Sequence, residues 1–212
     1  MGLAAHNKDD REGGMIKLAT GYDRAEHEWY VEPEFCTAAL LSVEQFDGLI
    51  LDPSCGQGNI VKTLIAAGYS AVGTDIVKRV KDEWWFGGLY DFLDGEVLHP
   101  TVPNIVCNPP FMRAKGTEAF IRRALAMSNR KVCIFTDIKF LAGQKRARGI
   151  YSDFPPDRVW IINPRPSCPP GEYLLNGGEA KNGQADWCWL VWDLAGSAWK
   201  GPTQLGWLKG EQ

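Results

Sequence analysis

The tetrapeptide Asn108-Pro109-Pro110-Phe111 brings three chemically useful parts together. An amide side chain offers a donor end and an acceptor end. Two prolines stiffen the backbone behind it and have no N–H to give to a ladder. An aromatic ring then follows where the chain should be turning into solvent. The apolar run Ile105-Val106-Cys107 just before it reads as a buried strand that stops abruptly. In open α/β sheets the carboxyl ends of strands are where ligands bind. A plain Pro-rich turn explains the tetrapeptide equally well on its own, so its neighbours must decide.

A second stretch, Asp52-Pro53-Ser54-Cys55-Gly56-Gln57-Gly58, follows an apolar run and precedes a helical pattern. Glycines in such a turn let the backbone approach a ligand and aim helix N–H groups at its negative end. Gly-x-Gly alone is weak, and Val61 stands where a dinucleotide fingerprint has its third glycine. Further on, Asp75 ends another apolar run. A carboxylate there can accept both hydroxyls of a ribose, and Ile76 beside it can cover a purine face. A helix cap is the simpler role for Asp75. Asp91-Phe92 repeats the pairing, with a carboxylate for an exocyclic amine and a ring for stacking. Three strand ends therefore suggest one nucleoside-containing cofactor, adenosine being the natural choice.

Metal chemistry is not expected. The chain has three histidines, and none of its six cysteines forms a Cys-x-x-Cys pair. Cys107, Cys133 and Cys188 lie in apolar runs and read as small buried hydrophobes in a reduced, cytoplasmic protein. The polar N-terminus lacks an apolar signal core and no stretch is long enough to span a membrane.

The net charge is −3, but it is unevenly spread. From Phe111 to Arg148 ten basic residues face only Glu118 and Asp137, so that segment carries +8 and the remainder −11. Such asymmetry suits a phosphate-bearing partner, with a solvated basic helix face as the plain alternative. Arg113 and Lys115, then Lys145, Arg146 and Arg148, flank the tetrapeptide and are candidate phosphate contacts, with Arg165 on a later loop.

The elements that must position these groups alternate. Helical spacing marks Glu34–Leu41, Asn59–Ala67 and Thr117–Met127. Strands are expected at Gly48–Asp52, Ala71–Thr74, weakly near Asp91, Ile105–Cys107, Lys131–Thr136, Asp157–Asn163 and Trp187–Leu194. Val77–Leu89 reads as a helical turn and a loop. The pattern predicts an α/β fold: a mostly parallel sheet with helices on both faces and a terminal antiparallel hairpin. Residues 1–24 read as a tail and 25–194 as one catalytic domain, with substrate-contacting loops at 142–185. Residues 195–212 read as a C-terminal tail. The loop Pro164–Ala185 is too long to be an idle connection.

In this order, Asp-Pro-x-Cys-Gly-x-Gly, a ribose acid, Asp-Phe and Asn-Pro-Pro-Phe resemble the S-adenosylmethionine-dependent amino-methyltransferases of DNA, especially the N6-adenine group. The match runs from about Tyr30 to Leu141. The later pattern around Val132–Leu141 and Asp186–Asp193 is similar to small phage and prophage adenine methyltransferases. The resemblance implies a Rossmann-like methyltransferase fold with S-adenosylmethionine as cofactor. It implies cofactor contacts at Tyr30, Pro33, Asp52, Pro53, Cys55, Gly56, Gly58, Asp75, Ile76, Asp91, Phe92 and Asn108. Glu32 departs from the family pattern, which has a small hydroxyl or apolar residue before that proline.

On this resemblance, Asn108, Pro109, Pro110 and Phe111 are catalytic. An adenine amine is a poor nucleophile because its lone pair is delocalised into the ring. The Asn108 side-chain oxygen and the Pro109 carbonyl can accept its hydrogens and localise that pair. Phe111 stacks on the base once it has left the duplex. The partner is DNA, and no separate recognition domain fits in 212 residues. Short sequence specificity, a second copy or a partner subunit is therefore expected. RNA or a protein glutamine amide are alternative substrates, and a non-catalytic nucleic-acid module is a further alternative.

Overall fold

The structure is a computed structural model that describes residues 28–94, 101–111, 115–195 and 201–210. The expected tail at 1–24 and Arg113 lie outside the described residues, as does the side chain of Lys115.

The apolar runs are too short to be helices and alternate with segments of helical period. They form β1 (Ile50–Asp52), β2 (Ala71–Asp75), β3 (Phe86–Leu89), β4 (Val102–Cys107), β5 (Ser128–Asp137), β6 (Arg158–Asn163), β7 (Trp187–Asp193) and β8 (Gln204–Lys209). The longer helices are α1 (Glu34–Leu41), α2 (Asn59–Ala66) and α3 (Lys115–Met127). Three short ones follow, α4 (Gln144–Arg148), α5 (Ile150–Asp153) and α6 (Gly171–Leu175). All strands join one sheet in the order β3-β2-β1-β4-β5-β7-β6-β8. The first five pair in parallel, β7 runs antiparallel to both β5 and β6, and β8 is parallel to β6.

Successive side chains of a strand face opposite ways, and the two cores follow that period. Val106, Cys133, Phe135, Trp189 and Val191 pack with α1 and α2. Their neighbours Ile105, Cys107, Val132, Ile134, Cys188 and Leu190 pack with α3 and with Ile150 of α5. This two-sided burial is why the central strands read as unbroken apolar runs. It also gives the expected helices on both faces.

The structure corrects three expectations. The third strand is Phe86–Leu89, not a segment near Asp91. Its residues are half-buried or exposed, and Gly87-Gly88 carries a register shift, so no apolar alternation advertises it. The segment read as a C-terminal tail contains β8, where Leu208 is the single fully buried residue. One inward residue in six leaves no period to detect. The stretch 142–185 holds the expected strand as β6 but is not loop elsewhere, since it also forms α4, α5 and α6.

Candidate active site

The carboxyl ends of β1, β2 and β4 converge on an open cleft. Asp52, Pro53, Cys55 and Gly56 of the glycine turn line it, as do Asp75, Ile76, Asp91, Phe92, Asn108, Pro110 and Tyr30. Pro33, Gly58, Pro109 and Phe111 do not. Pro33 is instead the N-cap of α1, where its extended backbone starts the helix. Gly58 caps α2 with φ +85°, and a Cβ there would run into the Trp85 ring. Its missing side chain makes room for an indole, so the glycine serves packing beneath the cleft. Cys55 likewise sits tight against Gly73.

Asp75 is at the predicted strand end, but its carboxylate is already engaged. It accepts from Gly56 N–H at 2.8 Å and Val77 N–H at 3.0 Å. It also pairs with Arg79 at 2.7 Å. Arg79 in turn lies over the Trp29 ring at 4.6 Å. Asp75 thus ties the glycine turn to the end of β2, and a ribose would have to share its remaining lone pairs. Ile76 is 57% exposed at the cleft, well placed to cover a flat ring. Phe92 is buried against Phe120 of α3, so it forms wall rather than a free stacking face. The exposed Asp91 caps its own turn by accepting the Leu93 N–H.

Asn108 stands at the end of β4 with its amide fixed. Nδ2 donates to the Tyr30 carbonyl at 2.9 Å and to Glu32 Oε2 at 2.7 Å. Oδ1 is buried and has no hydrogen-bond partner among the described residues. The Asn108 carbonyl accepts from Ser54 Oγ, which ties the tetrapeptide to the glycine turn. Burial pushes the Glu32 carboxyl up to about 7, against the opposing hydrogen bond from Asn108. Asp52 is raised well above the usual range by burial and then by the nearby charges of Glu32 and Asp75. Among the described residues, five acids (Glu28, Glu32, Asp52, Asp75, Asp91) and one base, Arg79, line the cleft. Such a site favours a ligand that carries positive charge, and a cationic ligand would draw Glu32 and Asp52 toward ionisation.

Beside the cleft, Phe111 sits between Tyr30 and Trp187, each ring 5.7 Å away. Trp187 stacks on Phe135 at 4.9 Å. The long loop before β7 folds back onto the same place. Val31 N–H donates to Pro169, Gly171 N–H donates to Trp29, and Tyr30 bridges Pro170. The segment expected to be functional therefore packs on the residues that hold Asn108.

The basic segment is less free than its charge suggests. Arg122 pairs with Glu118 and Asp153, Arg130 with Asp47, and Lys131 with Glu44. Arg123 donates to the Asp94 carbonyl. Arg146 does not extend from the surface. It donates to the carbonyls of Phe140, Lys139 and Ala142, because its forked donors match the diverging carbonyls at the end of a short helical turn. Arg165 is paired with Asp186 at 2.6 Å. Lys145 and Arg148 remain exposed on α4.

Sequence reasoning overlooked Trp29, Asn59, Arg79 and Tyr90 as cleft residues and treated Glu32 as a departure only. Arg79 reaches Asp75 across a non-helical bend after β2, so no helical spacing announced it. Trp29 and Glu32 precede every strand of the sheet and carried no positional signal.

No family model and no curated protein matches this sequence. Solved structures do match in fold. A Pyrococcus horikoshii protein provisionally described as an RNA methyltransferase is 14% identical, with TM-score 0.52, over 76% of this chain and 80% of that one. A modification subunit from Vibrio vulnificus YJ016, of a provisionally assigned type I restriction enzyme, is 12% identical with TM-score 0.55. That match covers 81% of this chain, which spans only 45% of the subunit. A Lactococcus lactis protein provisionally called a hemolysin is 8% identical with TM-score 0.51, covering 81% of this chain and 89% of that one. With the strand order above, these likenesses show that the chain has a Rossmann-like α/β fold of the kind seen in solved methyltransferases.

Proposed function

We propose that this protein is an S-adenosylmethionine-dependent methyltransferase that acts on the exocyclic N6 amine of adenine in DNA. The observation that carries the reading is the orphaned acceptor Asn108 Oδ1, buried at the head of an acid-lined cleft. The cleft suits the cofactor in charge. The acids suit a sulfonium and an ammonium, and Ile76 can cover the purine. S-adenosylmethionine contributes an electrophilic methyl group, and the remaining work falls to this chain's residues.

An acceptor whose donor end is tied down selects a substrate group that donates, which an amine does and a carbonyl does not. Asn108 Oδ1, with the Pro109 carbonyl, draws on the amine hydrogens and leaves the nitrogen lone pair more available. The prolines hold that arrangement before substrate arrives, so little reorganisation is needed in the transition state. The Tyr30–Phe111–Trp187 cluster offers a flat aromatic neighbour for a flipped base. DNA phosphates would meet Lys145 and Arg148, with Arg113, Lys115 and Arg165 as further candidates.

The test is incubation with methyl-labelled S-adenosylmethionine and, separately, duplex DNA, single-stranded DNA, RNA and protein, followed by digestion and identification of the product. The expected product is N6-methyladenine in DNA. Label found only in RNA or in glutamine would refute the DNA assignment. Asn108→Ala should lower kcat by about 100-fold or more, as loss of a preorganised polar group does, while cofactor affinity stays within a few-fold.

A further inference from the structure

We propose that Glu32 is a positioning residue that holds the Asn108 amide with its oxygen toward the substrate. The inference rests on the amine-methylating reading of the site and assigns a role in it to a residue outside the tetrapeptide.

A primary amide is nearly symmetric in shape, so only its partners decide which end faces where. Asn108 Nδ2 meets two acceptors, the Tyr30 carbonyl at 2.9 Å and Glu32 Oε2 at 2.7 Å. Turning the amide over would set Oδ1 against both of them. The bond to Glu32 is the shorter one, and when the acid is ionised it is charge-assisted, the stronger kind.

The mount itself is rigid. The Glu32 carbonyl accepts from Asn59 Nδ2 at the start of α2, and Val31 N–H donates to Pro169. Glu32 as a residue is only 7% exposed, so water cannot readily replace its carboxyl. A small hydroxyl or apolar side chain before Pro33 could not reach the amide in this way.

The role makes the amide sensitive to pH. An ionised Glu32 only accepts. Once protonated it can donate to Oδ1 instead, which permits the turned-over amide and takes the acceptor away from the substrate. Burial places this change near pH 7. The groups that face Glu32 are Asp52 from β1, Cys36 from α1, Cys107 from β4 and Cys168 from the loop before α6. Asp75 and Arg79 stand beyond Asp52. Burial pushes all three thiols up, so they stay neutral through this range, and Asp52, raised by burial and by Glu32, is the other acid that faces it.

Two measurements on the full chain test the assignment. In ¹⁵N-labelled protein without ligand, the Asn108 side-chain amide signal is identified by its absence in Asn108→Ala. It should shift between pH 6 and 8 with a midpoint near 7 in the wild type and stay still in Glu32→Gln. In methyl transfer to adenine-containing DNA, Glu32→Leu should lower kcat by about 10–100-fold with KM for the methyl donor changed less than about 3-fold. Glu32→Gln carries an NH2 that can donate to Oδ1 as the protonated acid does, so at pH 8 it should show the lowered kcat of the wild type near pH 6, with no further decline as the pH falls. An amide signal that ignores pH in the wild type, or titrates equally in Glu32→Gln, overturns the proposal. So does a Glu32→Leu kcat within about 3-fold of wild type. Should Glu32→Leu not fold, the amide titration and Glu32→Gln still decide. A titrating amide in a protein that methylates no DNA would uphold the positioning role and refute the substrate assignment instead.

Discussion

Replacing Glu32 with glutamine should make the ligand-free protein more stable at pH 8.5 and leave it unchanged near pH 4. The carboxyl is held in the fold at about 7 against an ordinary 4.5, mainly because burial opposes its charge. As pH rises through 4.5 the unfolded chain releases its proton first, while the folded chain keeps it until about 7. The unfolded state is favoured progressively across that window, and the stability lost by pH 8 does not return. At about 1.36 kcal/mol per pH unit, the difference between 4.5 and 7 amounts to about 3 kcal/mol. Glutamine has nearly the same shape and an oxygen for Asn108 Nδ2, but no charge to bury. For a domain of this size, about 3 kcal/mol corresponds to roughly 6–12 °C in Tm. Urea denaturation of both proteins at half-unit steps from pH 4 to 8.5 reads the difference directly. A gap that opens between pH 4.5 and 7 and then levels off is expected. A gap independent of pH, or a variant less stable than wild type at pH 8.5, would show that Glu32 is not a buried acid and refute the reasoning.

Glu44 predicts the opposite dependence. Burial raises its carboxyl, but hydrogen bonds from Arg158, Lys131 and Trp160 outweigh that and hold it below the ordinary value. Glu44→Ala leaves Lys131 and Arg158 with Asp193 as their remaining acid and should cost at most about 3–5 kcal/mol in urea denaturation at pH 7, with the difference from wild type shrinking as pH falls below the normal glutamate range. Gly58→Ala forces a side chain into left-handed backbone and against Trp85, and should lower stability by at least about 2 kcal/mol. A Gly58→Ala protein as stable as wild type would mean that Trp85 moves freely.

How much of this was legible in the sequence depended on what each residue touches. Val106 and Cys107 announced a two-sided strand because both faces of β4 are buried. Asp52, Asp75 and Asn108 were findable because each directly follows or ends such a run. Phe92 does line the cleft, but a ring next to an acid looks the same in sequence whether its face is open to a ligand or packed on Phe120. The carbonyl partners of Arg146 were not legible because a basic cluster does not reveal which member bonds to nearby backbone. β3 and β8 were invisible because backbone pairing alone defines them, with hardly a buried side chain to mark the period. The Glu32–Asn108 contact joins residues far apart in the chain, and no local pattern encodes a contact of that range.

The fold-back of the loop before β7 onto Trp29, Tyr30 and Val31 has a consequence in time. The carbonyl that anchors Asn108 belongs to Tyr30, and the Tyr30 segment is fastened by Pro169, Pro170 and Gly171. During synthesis the glycine turn and β4 leave the ribosome long before those residues do. Contacts that close such long loops form late. A nascent chain could therefore shape the cofactor cleft early and still lack an oriented acceptor. The last part of the machine to be set is the amide that faces the substrate.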